Sequence, residues 1–228
     1  MFDWITKRKA SPVLSGTDTE FPLVSTGQGG FLAGTHVASN LGWRLVEALS
    51  VGDRVLTFDH GMQEIIELHR ETILMTDDIL MDPQCPIYVP QDALHNRVPM
   101  WVMPDQGILV ESDLAMDAQG DPFAIVPACA LEGYRGIHRA PTGQVLELVM
   151  PRFAQDEVIY LEAGLLGFSA TPTSVLDSAG SSDGLYRILP QDVARELVVA
   201  MMAEESFWAA DVPAGAAIQC DAKFVSVR

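Results

Sequence analysis

The stretch from Gly30 to Gly61 limits the possible folds more than any other part of the chain. It contains short extended segments that are separated by glycine turns, and the turns are too close together for helices to form between them. The segments and their turns are Thr35 to Ser39, the turn Asn40-Leu41-Gly42, Trp43 to Ala48, the turn Gly52-Asp53, and Arg54 to Phe58. This spacing predicts a sheet of short strands.

The order of residues in this stretch resembles the opening of the Hint family, the hedgehog and intein autoprocessing fold. In one bacterial branch the pattern is approximately CFxxGTxIxTxxGxRxVExLxxGDxVLTxDxG. The residues that match it here are Phe31, Gly34-Thr35, Gly42-Trp43-Arg44, Val46-Glu47, Leu49, Gly52-Asp53, Val55-Leu56-Thr57, Asp59 and Gly61. The resemblance implies a mainly all-β, intertwined fold of short strands.

The position that carries the chemistry in this family is occupied here by a residue without a side chain. Hint proteins move an acyl group from a backbone nitrogen to the side chain of their first residue, normally a cysteine, and this step needs a nucleophile. The equivalent residue here is Gly30, which precedes Phe31. We expect the glycine-rich lead-in Gly27–Gly30 to fill the vacated space. Non-standard nucleophiles remain an alternative, with Ser25, Thr26 and Cys85 as candidates.

A second family motif is similarly altered. The segment VMPDQGILV resembles (S/T)PDHRVLV, but Met103 replaces the hydroxyl residue and Gln106 replaces the histidine. Glutamine cannot exchange a proton near neutral pH, whereas imidazole can. Further on, Glu157 to Tyr160 resembles a late family strand near which relatives carry histidines, and Asp156 stands where one is expected. The resemblance therefore implies no catalytic residues, because the family positions are filled by Gly30, Met103 and Gln106.

The remaining periodicity predicts how the chain is organised. We expect a leader over residues 1–29, a Hint-like β domain over 30–173, a linker over 174–184 and a C-terminal helical extension over 185–228. Apolar residues at three- and four-residue steps predict a helix from Pro190 to Glu205. Further strands are predicted at Ile87–Val89, Met100–Val102, Ile108–Val110, Phe123–Val126, Val145–Val149 and Val158–Tyr160.

Composition excludes several classes of partner. The formal net charge of −17 would repel nucleic acid, which binds proteins mainly through Lys and Arg. No apolar run reaches the roughly 18 residues of a membrane span, and the first residues lack the pattern of a secretory signal. We therefore expect no nucleic acid, no membrane span and a cytoplasmic location.

Metal and cofactor motifs are also missing from the sequence. The three cysteines, Cys85, Cys129 and Cys220, are widely separated and are expected to be small buried residues. The five histidines do not have the spacing of metal ligands, and His95-Asn96 is predicted to form a turn. We expect neither a metal nor a cofactor.

Together these patterns favour a degenerate Hint domain that serves as a scaffold or protein-interaction module rather than an enzyme. The C-terminal helix is a candidate surface for a protein partner or a second copy of the chain, although packing of its apolar stripe on its own domain is the simpler expectation. The alternative is a self-cleaving domain that uses a non-standard nucleophile.

Overall fold

The computed structural model describes residues 29–75, 84–116, 120–143, 145–162, 164–171 and 188–211. In this part of the chain, fourteen short strands form three antiparallel sheets, and one long helix follows them. The strands are β1 (Phe31–Leu32), β2 (His36–Ser39), β3 (Gly42–Leu45), β4 (Arg54–Thr57), β5 (Gly61–Glu64), β6 (Glu67–Leu74), β7 (Ile87–Val89), β8 (Met100–Val102), β9 (Gly107–Glu111), β10 (Phe123–Pro127), β11 (His138–Arg139), β12 (Val145–Arg152), β13 (Glu157–Leu161) and β14 (Leu165–Ser169). The predicted all-β class with a C-terminal helix is confirmed.

The largest sheet has eight strands in the order β10-β9-β14-β13-β2-β4-β5, with β3 paired to β2. A second sheet has the order β1-β12-β6, and a third has the order β11-β7-β8. Strands that are distant in sequence are therefore neighbours, as β2 and β13 are. This interleaving brings the first residues of the domain next to its last strands.

Glycines make the turns that the sequence pattern indicated. Gly42 and Gly52 have φ angles of +94° and +91°, a region that residues with a Cβ rarely adopt. One segment differs from the prediction, since the extended run expected over Trp43–Ala48 ends at Leu45. Val46–Ala48 instead forms a 3₁₀ turn in which Val46 is fully buried and donates its N–H to the carbonyl of Thr35 at 2.8 Å.

The C-terminal helix α1 (Gln191–Asp211) packs on the β domain. It begins one residue after the predicted start and continues past the predicted end at Glu205. Its buried residues Ala194, Val198 and Met201 belong to the same apolar core as the strands, so its stripe is covered by its own domain. No helix in the described residues is long and apolar enough to cross a membrane.

A polar cluster holds the far end of α1. Glu205 accepts hydrogen bonds from Tyr134 Oη at 2.8 Å and from Arg135 Nε at 2.9 Å. Burial of the phenol, together with its hydrogen bond to Glu205, raises the pKa of Tyr134 to about 12. Burial alone would raise the pKa of Glu205, but hydrogen bonds from Arg135 and Tyr134 outweigh it and hold that pKa below its usual range.

This cluster makes the packing of α1 on the β domain sensitive to acid. Because the folded-state pKa of Glu205 is lowered, its contribution to stability is present above the unfolded value near 4.5 and is lost as pH falls through the folded value. We expect Glu205→Gln to lower the unfolding free energy at neutral pH, and the difference from wild type to shrink below about pH 4.5. Chemical denaturation at several pH values measures this. The exposed neighbour variant Glu204→Gln is the control, and an equal loss there would contradict the assignment.

Candidate functional site

A cleft lies where the domain begins, at the start of β1. It has a volume of about 160 Å³. Its lining residues come from β1 and the two residues before it, the β8–β9 turn and the start of β9, β12, the end of β14 with the residue after it, and the segment before α1. They are Gly29, Gly30, Phe31, Asp105, Gly107, Met150, Arg152, Phe168, Ser169, Ala170 and Ile188. We refer to this set as the Gly30 cleft.

Neighbouring side chains fill the space that a side chain at Gly30 would take. A Cβ built on Gly30 would lie 2.6 Å from Met150 Cγ and 3.0 Å from Leu148 Cγ. Real Cβ atoms essentially never come as close as the first of these distances. Met150 and Leu148 lie in this space, and the expectation that the lead-in Gly27–Gly30 fills it stays a prediction. Residues 27 and 28 lie outside the described residues.

Met103 belongs to the apolar cluster that contains Met150 and Leu148. It is buried together with Met150, Leu148 and Leu32, with Trp101 packed against them. A hydroxyl residue at position 103 would meet this apolar surface rather than water. Gly30 and Met103, two of the three positions at which the sequence departs from the motifs it resembles, therefore meet one group of packed side chains.

Gln106 is completely buried and connects two strands. Its Nε2 donates to the carbonyl oxygens of Gly107 at 2.9 Å and Phe168 at 2.8 Å. The two acceptors fix the amide orientation, since a flipped amide would place its oxygen against both carbonyls. Oε1 has no hydrogen-bond partner among the described residues. The side chain thus ties β9 to β14, while the residues on either side of it line the Gly30 cleft.

The polar groups of the cleft are Asp105, Arg152 and Ser169. Ser169 provides the hydroxyl among the lining residues, and it donates to the carbonyl oxygen of Pro151. Arg152 Nη1 donates to the carbonyl oxygens of Ala170 at 3.1 Å and Thr171 at 3.3 Å. No thiol and no imidazole is present among the cleft's lining residues.

Cys85, the one alternative nucleophile among the described residues, does not line this cleft. Cys85 is fully buried, and its Sγ lies 3.7 Å from the carbonyl oxygen of Pro86. Ser25 and Thr26 lie outside the described residues, as does Cys220. Cys129 is only partly buried, and burial raises the pKa of its thiol, with the negative charge of Asp105 as the next cause. A raised pKa disfavours the reactive thiolate.

Two histidine–carboxylate pairs were not apparent from sequence, because their members are far apart along the chain. His60 Nδ1 lies 3.0 Å from Glu157, a carboxylate with no exposure to solvent, and Gln155 donates to the same group at 3.0 Å. His36 Nδ1 lies 3.3 Å from Glu162, and His36 is 46% exposed. The first pair places a histidine beside the late strand β13, although it comes from the β4–β5 turn.

The predicted turn at His95-Asn96 is confirmed. His95 has a φ angle of +63°, and the buried side chain of Asn96 donates to the carbonyl oxygens of Pro90 and Val98, each at 2.8 Å. The amide of Leu94 donates to Asn96 Oδ1 at 3.0 Å. All of these contacts lie within the turn, so Asn96 holds local backbone.

Comparison with known proteins gives one family. The sequence profile described as "Hint domain" matches residues 29–167, which is more than half of the chain. No curated protein matches the chain.

Two solved structures are similar. One is a splice-inactive variant of the AceL NrdHF class 3 split intein, at 14% identity and a TM-score of 0.38, covering 63% of this chain and 99% of that chain. The other is the solution structure of a bacterial intein-like domain from Clostridium thermocellum, at 11% identity and a TM-score of 0.38, covering 62% of this chain and 99% of that chain.

The packing at Gly30 generates a prediction for side chains added there. Gly30→Ala should lower the unfolding free energy by about 1–3 kcal/mol, because the new methyl group displaces Met150 and Leu148. Gly29→Ala is the matched control, since nothing lies within 4 Å of its added Cβ. Thermal and chemical denaturation measure both variants. A loss at position 29 as large as that at position 30 would contradict the packing argument, and Met150→Ala should relieve the Gly30→Ala clash in a double-mutant cycle.

The buried pair at His60 generates a second prediction. His60→Ala leaves the fully buried Glu157 carboxylate with Gln155 as its remaining side-chain partner among the described residues, and should cost about 3–5 kcal/mol of stability. His36→Ala breaks a pair whose imidazole is 46% exposed, and should cost under about 1 kcal/mol. If both variants lose the same unfolding free energy in chemical denaturation, the greater burial of the His60–Glu157 pair does not increase its contribution to stability.

Proposed function

This chain belongs to the Hint domain family, and we propose that it is a member without autoprocessing activity that acts as a scaffold or protein-interaction module. The proposal is carried by one observation, the filled space at Gly30. In the family pattern the nucleophile occupies this position, and here Met150 and Leu148 take the volume that its side chain would need.

The loss of the nucleophile removes the first chemical step. An acyl shift requires a side-chain atom that attacks the preceding carbonyl carbon, and glycine has none. The hydroxyl of Ser169 lines the same cleft but donates to Pro151, and no imidazole accompanies it among the lining residues. A serine without an adjacent base is a weak nucleophile near neutral pH.

The loss of the histidine removes proton transfer as well. Gln106 stands at the family's histidine position, and its amide donates to two backbone carbonyls instead of to a departing group. General acid–base assistance contributes about 10²- to 10⁴-fold to a reaction rate. A nucleophile restored at position 30 would therefore still lack this assistance.

The proposed interaction role does not use the buried stripe of α1. Ala194, Val198 and Met201 already contact the β domain, so a partner at this helix would meet residues outside that stripe, and Val193 and Val199 are exposed there. The alternative function, self-cleavage through Ser25, Thr26 or Cys85, requires a nucleophile outside the Gly30 cleft or outside the described residues.

Intact mass spectrometry tests the proposal. The purified full chain, incubated with dithiothreitol or hydroxylamine, should keep its full mass, and so should Gly30→Cys, because the proton-transfer group is still missing. A fragment cut before Gly30 or Phe31 in the parent protein would overturn the proposal. In that case Ser25→Ala, Thr26→Ala and Cys85→Ala would identify the nucleophile, since the responsible variant alone would stop cleavage.

A further inference from the structure

Arg152 is a cation that lines the Gly30 cleft without a carboxylate partner among the described residues. One of its terminal nitrogens donates to the carbonyls of Ala170 and Thr171. A guanidinium has five N–H donors, and no hydrogen bond from its Nε or Nη2 occurs within the described part of the chain. In a chain with 31 acidic and 14 basic residues, an arginine without a described countercharge points to a site for an anion.

The arginine lies beside apolar walls. Phe31, Met150, Phe168 and Ile188 line the same cleft, whose volume is about 160 Å³. An apolar cavity of about 150 Å³ is large enough to hold a benzene molecule. The cleft therefore has room for one apolar side chain of valine or leucine size, with the guanidinium beside it.

The rim also bears a negative charge. Asp105 is exposed and lines the cleft, so a ligand with a carboxylate alone would be repelled there. A ligand that also carries an N–H group can donate a hydrogen bond to Asp105 and offset this repulsion. The last residue of a peptide has both groups, a terminal carboxylate and a backbone N–H, one residue apart.

We propose that the Gly30 cleft binds the C-terminal carboxylate of a peptide whose last residue has an apolar side chain of valine or leucine size. The carboxylate pairs with Arg152, the side chain enters between the four apolar residues, and the backbone N–H faces Asp105. This inference rests on the proposed function. A self-cleaving domain would hold its own backbone in the cleft, so a peptide can bind there only if the domain does not cleave itself.

Titration of the isotope-labelled full chain, followed by amide chemical shifts, tests this with three small probes. N-acetyl-leucine should bind saturably and shift the amides of Gly29, Gly30, Gly107 and Ala170. N-acetyl-leucinamide, which lacks the carboxylate, should bind about tenfold more weakly or worse, the expected loss of a charge-assisted hydrogen bond. 4-Methylpentanoate, which keeps the carboxylate and lacks the N–H, should also bind more weakly.

Each comparison has an outcome that overturns the proposal. Equal binding of N-acetyl-leucinamide would remove the role of the carboxylate, and equal or tighter binding of 4-methylpentanoate would indicate a fatty acid instead of a peptide. These comparisons use the wild-type protein and do not depend on a variant that folds.

Variants then assign the contact. Arg152→Gln should weaken N-acetyl-leucine binding about tenfold or more, whereas Arg152→Lys keeps the charge and should lose less. Arg97→Gln, an exposed arginine outside the cleft, removes the same charge and should leave binding unchanged. If Arg97→Gln weakens N-acetyl-leucine binding as much as Arg152→Gln does, the effect follows from net charge alone, and the assignment of the binding site to the cleft is overturned.

Intact mass measured on the same samples separates the two proposals. Cleavage of the chain would overturn the proposed function whether or not the probe binds. A chain that stays intact but does not bind N-acetyl-leucine would overturn only the inference about the ligand.

Discussion

The packing of Met150 and Leu148 beside Gly30 limits which side chains this position can hold. Strand β1 has only two residues and is paired to β12, with Phe31 opposite Val149. Because Gly30 has no Cβ, the side chains of β12 extend into the volume that a side chain at this position would need. Under the proposed function, a nucleophile and the packed side chains would compete for the same space at this position.

Under the proposed function, the fold persists without the chemistry because different residues specify the two. Turn glycines such as Gly42 and Gly52 fix the chain reversals, and buried residues such as Val37 and Leu161 fill the core. None of these contributes a reactive group. Gln106 illustrates the separation, since its amide connects β9 to β14 through the carbonyl of Phe168 and needs no titratable group to do so.

Sequence alone predicted the elements that have a local signal. The strands at Ile87–Val89 and Met100–Val102 agree with the structure residue for residue, and α1 was placed within one residue at its start. The long strand β6 (Glu67–Leu74) was not predicted, because its residues are mostly polar and its pairing along β12 is a tertiary property. The cleft was also beyond prediction, because it is assembled from five separate stretches of chain.

Sequence patterns also did not predict which charged side chains pair with each other. His60 and Glu157 are 97 residues apart, so no spacing rule links them, and only the neighbouring positions of β4 and β13 bring them within 3.0 Å. The Glu205 cluster is similar, since it joins the helix to a turn 70 residues earlier. Sequence patterns identify residues that repeat at a fixed local period, whereas these pairs follow from topology.

The C-terminal segment is part of the site as well as an extension of the chain. Ile188 lines the Gly30 cleft and forms a parallel bridge with Ile125 on the edge strand β10, and the amide of Leu189 donates to the carbonyl of Ile125 at 2.8 Å. A Cβ on Gly107 would lie 3.1 Å from Ile188 Cδ1, so the strand and the segment are in close contact. Since α1 follows directly and is held by the core, a change that detaches the helix also removes one wall of the cleft. The shape of the cleft therefore depends on residues that follow the family's own match, which ends at residue 167.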